Sequence, residues 1–248
     1  MFKSQLVFCF VYLFVAGPIA ADTRISYKFH LNSYVQFGVT IPAADTYSTI
    51  WLGTGRIRLD YPPNIGFYTI FLADSNSWFT VYPKFEIYSK GQPFEVALAG
   101  GHSDSLKLLE GMKLIEPEIP ELNIQTVKSN ETNLINGFPC QKFAVTMSDS
   151  TDTTTVEVWT DNDVKIDFNL LNQVKFERSP LGGKFDKLGE HVRRVAGLQV
   201  LTIASTTMFS GAVTTMEITE LKDLDAPAGY YDLPKGYELY PAPDSADK

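Results

Sequence analysis

Cysteine is nearly absent from this sequence. Two occur in 248 residues, Cys9 and Cys140, so no framework of paired disulfides can hold the fold and burial of apolar surface must do so. Histidine is as sparse. His30, His102 and His191 are scattered, and His102-Ser103-Asp104 is the one triplet with any ligand character, so no metal site is expected. Positive charge is in deficit: 21 Lys and Arg stand against 29 Asp and Glu, a formal net charge of −8. Phosphate backbones and anionic lipid surfaces repel such a chain, so nucleic acid is not an expected partner. Beyond residue 21 no apolar run reaches the ~20 residues that a spanning helix needs, and no transmembrane segment is expected. A serine nucleophile elbow and a phosphate-cradling glycine loop are missing too. The carboxylate pairs Asp161/Asp163 and Glu116/Glu118 fall where acids cap helices or face water. No enzymatic role and no cofactor is expected.

What is present is apolar and aromatic. Hydrophobic residues make up 44 % of the chain and aromatics 13 %, ample for a sizeable core. Residues 1–21 read as a signal peptide: Lys3 supplies the positive start, Leu6–Val15 the apolar run, and Ile19-Ala20-Ala21 a small-residue cleavage site. Residues 22–238 then form one domain and 239–248 a disordered tail. Export to a periplasmic or extracellular space is the corresponding expectation.

Along the domain, Ile25, Tyr27, Phe29 and Leu31 alternate with Arg24, Ser26, Lys28 and His30, the period of a half-buried strand. Residues 36–48, with Gly38, Pro42 and Asp45, read as a turn or loop. Thr49–Tyr61 reads as one strand bent by a bulge at Gly53 and Gly55. Gly66–Ala73 and Ser77–Tyr82 form a hairpin about Asp74-Ser75-Asn76. A short helix over Asp104–Met112 and a proline-rich connection at Glu116–Glu121 follow. Asn136-Gly137 is a turn dipeptide ahead of the run to Val145, which pairs with Val156–Thr160. Asp161–Ser179 carries Val164, Phe168, Leu171 and Val174 at helical spacing. Phe185, Leu188, Val192 and Val195 repeat the pattern up to Gly197, with His191, Arg193 and Arg194 on a solvated face. Leu198–Ser205 and Val213–Leu221 close the strand set.

Cys140 reads as a small buried hydrophobe, the alternatives being a reactive thiol or an intermolecular bridge. Asn130-Glu131-Thr132 fits the acceptor pattern for N-glycosylation. Tyr27, Phe29, Trp51, Ile57, Leu59, Trp78 and Trp159 are an aromatic-rich set for one curved sheet. They are ordinary core if helices cover the sheet fully, and they line a pocket if the cover is incomplete.

The order of five segments carries a resemblance. Asn136–Phe143 has the form Asn-Gly-aromatic-x-Cys-x-Lys-aromatic, and Val156–Thr160 follows as Val-x-Val-Trp-Thr. A helical stretch from Asp163, a strand start at Gly197-Leu198 and a closing Tyr231-Asp232-Leu233-Pro234-Lys235-Gly236-Tyr237 complete it. This pattern resembles an uncharacterised family of exported bacterial proteins among the relatives of the lipoprotein carriers LolA and LolB. The resemblance implies a mainly β (α+β) fold: a twisted, half-open antiparallel barrel wrapped around two or three helices, with an apolar cavity between. In the carriers that cavity takes up acyl chains. No lipoprotein-binding signature transfers residue by residue, and the lipid-attachment cysteine of anchored relatives is lacking. Two functions are therefore expected in competition. One is an exported carrier or sensor for a hydrophobic small molecule or lipid; the other is a structural envelope protein with a filled core and a protein partner.

Overall fold

The chain builds its sheet from two meanders that meet on its first strand. In order they are β1 (Thr23–Leu31), β2 (Tyr34–Gln36), β3 (Val39–Ile41), β4 (Ala44–Gly53), β5 (Arg56–Asp60), β6 (Tyr68–Leu72), β7 (Ser77–Tyr82) and β8 (Ile87–Lys90). Then come β9 (Asn123–Ile135), β10 (Phe138–Ser148) and β11 (Thr153–Asp161), a crossing with helices α1 (Phe168–Leu171) and α2 (Gly183–Arg193), and β12 (Leu198–Thr206), β13 (Val213–Asp223) and β14 (Glu238–Leu239). This computed structural model describes residues 21–36, 38–91, 122–150, 152–174, 183–207 and 211–240. The expected signal peptide (but for residue 21), the helix at Asp104–Met112, the triplet at His102, the Glu116–Glu121 connection and the tail beyond 240 lie outside those residues.

Twelve strands form one sheet in the order β14-β8-β7-β6-β5-β4-β1-β13-β12-β11-β10-β9. Every adjacent pair is antiparallel except β14, which runs parallel to β8. β14 reaches Leu239, and the Tyr240 amide donates to the Tyr88 carbonyl at 2.7 Å, so order extends past residue 238. The protein is mainly β, and its ends, β14 and β9, do not pair with each other; the barrel is not closed.

β1 joins the halves because it is covered on both flanks: Ile25 stands opposite Ile50 of β4 and Leu221 of β13. Ile25, Ile50 and Ile57 are fully buried, each contributing about 2 kcal/mol of transfer free energy. The two halves differ in regularity. The β4–β8 ladders run without a register shift. The other half carries three, at Ser26/Tyr27 against β13, at Trp159/Thr160 against β12, and at Gln141/Phe143 against β9. Each bulge bends and twists its strand, so this half curls. Asn136, at the β9–β10 turn, consequently donates from Nδ2 to the Ile218 carbonyl of β13 at 2.8 Å, though β11 and β12 lie between those strands in the sheet.

Several local expectations give way. Residues 36–48, expected as a turn or loop, hold the reversal of the β2–β3 hairpin but also β3 and the start of β4. Gly55, at φ +65°, sits in the reversal between β4 and β5, so Thr49–Tyr61 is a hairpin and not a bulged strand. Of the helix expected over Asp161–Ser179, the described residues up to 174 hold only four-residue α1, capped by Asp167 Oδ1, which accepts from the Leu170 amide at 3.0 Å. Its apolar spacing served burial in an irregular chain: Val164, Phe168, Leu171 and Val174 all pack on the main core. β9 is the longest strand that pattern did not announce. It is an edge strand of polar composition, mostly exposed, so little apolar alternation marks it.

Candidate functional site

The site grows from the crossing between β11 and β12. Asp161 Oδ1 accepts from the Asp163 amide at 2.8 Å, turning the chain off the strand, and α1 comes to rest beside β5. Leu170 and Val174 bury there with Ile57, Leu59 and Tyr27. Further on, α2 lies against β9 and β10, where Leu188 and Val195 join Val145, Met147, Val156 and Val158 in a second cluster. The chain regains the sheet through Gly197. At φ +94° this residue occupies a conformation that side chains disfavour, and a Cβ there would lie 2.6 Å from Asn162 Oδ1 and 2.8 Å from the Asp161 carbonyl oxygen. Gln199 Nε2 donates to the Val192 carbonyl at 2.7 Å and ties β12 to the end of α2.

Because α1 sits on one cluster and α2 on the other, the space between them is not filled. A cavity of about 380 Å³ remains between helices and sheet. The sheet supplies Tyr27 from β1, Leu198 and Gln199 from β12 and Met216 from β13. The α1 side supplies Phe168, Leu171, Asn172 and Val174, and the end of α2 supplies Arg193, Arg194 and Val195. Its walls are thus more apolar than polar, with the arginines Arg193 and Arg194 at the α2 end. Burial raises the Tyr27 phenol well above its usual range, so it remains an uncharged wall residue at any ordinary pH.

Of the seven residues singled out from the sequence, the structure brings Tyr27 to this cavity. Ile57, Leu59 and Trp159 are buried in the main core, and Phe29 and Trp78 pack against it. Trp51 belongs to the other side of the sheet. It stands opposite Arg24 and Arg58 in the ladders, while its neighbours Ile50 and Leu52 take the core side, as strand alternation requires. There it meets the Tyr230 ring edge-on at 5.1 Å between centroids and the Arg24 guanidinium at 5.7 Å. Lys142 covers Trp159, with Nζ 5.4 Å from the ring centre.

Cys140 is buried and unpaired. Burial first, and the Asp161 carboxylate second, push its thiol up to about 11. Asn130 is exposed in the β9 bulge, where Gln141 Nε2 satisfies the carbonyls of Ser129 and Glu131 at 2.6 and 2.9 Å. Among the described residues no group of three or more His, Cys, Asp or Glu is placed to hold a metal ion, and no helix is long and apolar enough to cross a membrane.

The lining residues that sequence reasoning passed over are Leu198, Met216, Arg193 and Arg194. The first two look like ordinary strand residues until the crossing is seen to bring them to the edge of the cavity. The arginines read as a solvated face because an amphipathic pattern cannot show where a helix ends relative to a void.

A second concavity of similar volume lies on the Trp51 side, where the chain after β13 returns over β4 and β5. It is polar, lined by Asp22, Arg56, Tyr230 and Asp232 among others. Arg56 pairs with Asp232 at 3.1 Å. Arg58 lies between the Tyr68 and Tyr230 rings, 3.7 and 3.9 Å from their centres, and donates to Asp60 at 2.8 Å. These groups satisfy one another and fasten the returning chain.

No protein-family model matches the chain, and no curated protein matches it. Among solved structures it superposes on PNGF-II with a TM-score of 0.40 at 16 % identity, over 89 % of this chain and 30 % of that one. A superposition that loose carries no argument about fold or activity.

Proposed function

We propose that this protein binds an apolar ligand, a lipid or acyl chain, in the cavity between its sheet and its helical crossing, as an exported carrier or sensor. The observation that carries the reading is the unfilled space over Tyr27, Leu198 and Met216, closed on the other side by Phe168, Leu171 and Val174. At about 380 Å³ it lies at the lower end of the range for small-molecule sites. Each methylene taken from water contributes ~0.8 kcal/mol, so a chain of about ten methylenes gains roughly 8 kcal/mol before the cost of association. Curling of the β9–β13 half around the crossing, fixed by the Asn136–Ile218 contact, supports the half-open barrel of the LolA/LolB-like resemblance. The export reading rests on the signal-like pattern of residues 1–21.

Solvent extraction of the protein purified from its native compartment, followed by mass spectrometry, tests the proposal. A lipid or fatty acid at about one per protein is expected; none at all, together with no uptake of an apolar fluorescent probe, would refute it. A second reading, a structural protein with a protein partner, draws on β9, whose exposed Val127 and Leu134 mark an edge open to pairing.

A further inference from the structure

The described residues include five arginines, and their surroundings divide them sharply. Arg24 pairs with Glu220, Arg56 with Asp232 and Arg58 with Asp60. Arg193 and Arg194 have no ion-pair partner among the described residues, and both border the cavity. Unpaired cations are common among the described residues of this chain of net charge −8; what sets these two adjacent arginines apart is that they border a cavity that is otherwise mainly apolar. Their place at the end of α2 gives a partial cause, since cations there favour the helix dipole. That effect needs neither two adjacent arginines nor a place beside the cavity.

Resting on the apolar-ligand reading, we propose that the cavity selects single-chain amphiphiles with an anionic head, specifically long-chain carboxylates, and that Arg193 and Arg194 receive the carboxylate while the chain lies against Tyr27 and Met216. A guanidinium fork matches the two oxygens of a carboxylate and offers an alcohol of the same length only ordinary hydrogen bonds. The volume suits one chain rather than the two of a membrane phospholipid. The fixed local charge would also draw in an anion that the acidic protein otherwise repels.

The test is calorimetric titration of the full protein, freed of any co-purified ligand, with decanoate and with decanol at low and high salt. The parent protein should bind decanoate about tenfold more tightly than decanol, and salt should erode that preference while leaving decanol unaffected. In Arg193→Gln/Arg194→Gln the preference for decanoate over decanol should vanish at an unchanged melting temperature. Equal binding of the two ligands by the parent, or an undiminished preference in the double variant, would overturn this inference and leave the apolar-ligand reading standing. Binding of neither ligand removes that reading and this inference with it. If the double variant melts lower than its parent, the single variants and the parent's own salt dependence decide the matter.

Discussion

The side-chain amide of Asn136 donates to the backbone carbonyl of Ile218 at 2.8 Å, across 82 residues of chain. Asn136 and Gly137 both have positive φ, 49° and 88°, the two-residue turn whose twist suits a hairpin. One residue thus makes the β9–β10 reversal and pins it to β13. Asn136→Gly keeps the turn and loses the pin, and should cost about 1 kcal/mol; Asn136→Ala loses both and should cost about 2 kcal/mol. Equilibrium denaturation of the two variants would show that order, and equal losses would mean that the pin contributes nothing.

The returning chain should loosen in alkali. Tyr230 donates its hydroxyl to Asp60 at 2.6 Å; burial and that bond raise its phenol to about 12, against 10.0 when unperturbed. The folded state therefore holds a proton that the unfolded chain gives up first. Its stabilisation is complete below pH 10 and is lost as pH rises through about 12. Tyr27 and Tyr231 shift in the same direction, so the informative quantity is the difference between protein and variant. Tyr230→Phe should show a shallower fall in melting temperature from pH 9 to about 11. Identical slopes would mean that Tyr230 titrates as in an unfolded chain.

Cys140 should be inert while the protein is folded. With its thiol at about 11 instead of 9.0, the thiolate fraction near pH 8 falls ~100-fold, before burial further hinders reagents. Labelling by an aromatic disulfide reagent should be at least that much slower in native buffer than in denaturant. Comparable rates would restore the reactive-thiol alternative.

Strand existence was legible wherever apolar residues alternate: Ile25 and Tyr27 in β1, and Val156 and Val158 in β11, are buried as their spacing requires. The Asn136–Gly137 turn was legible from turn chemistry, and the antiparallel pairing of β10 with β11 from their two apolar runs. The faces were not. Trp51 lies between Ile50 and Leu52, all three buried, and a strand covered on both sides gives an unbroken apolar run that hides which residue points where. The cavity was the least legible feature. It depends on α1 ending after one turn and on bulges at Val200 and Thr219, and these are consequences of long-range pairing that local spacing does not encode.

The space over Tyr27, Leu198 and Met216 is proposed to take up an apolar molecule. The most direct measurement is fluorescence titration with the uncharged probe N-phenylnaphthylamine, on the parent protein and on Met216→Trp, whose larger side chain would fill the space. Saturable uptake at one probe per protein is expected, with its loss in Met216→Trp at an unchanged melting temperature. Uptake that never saturates, or that survives the filling substitution, would contradict the proposal.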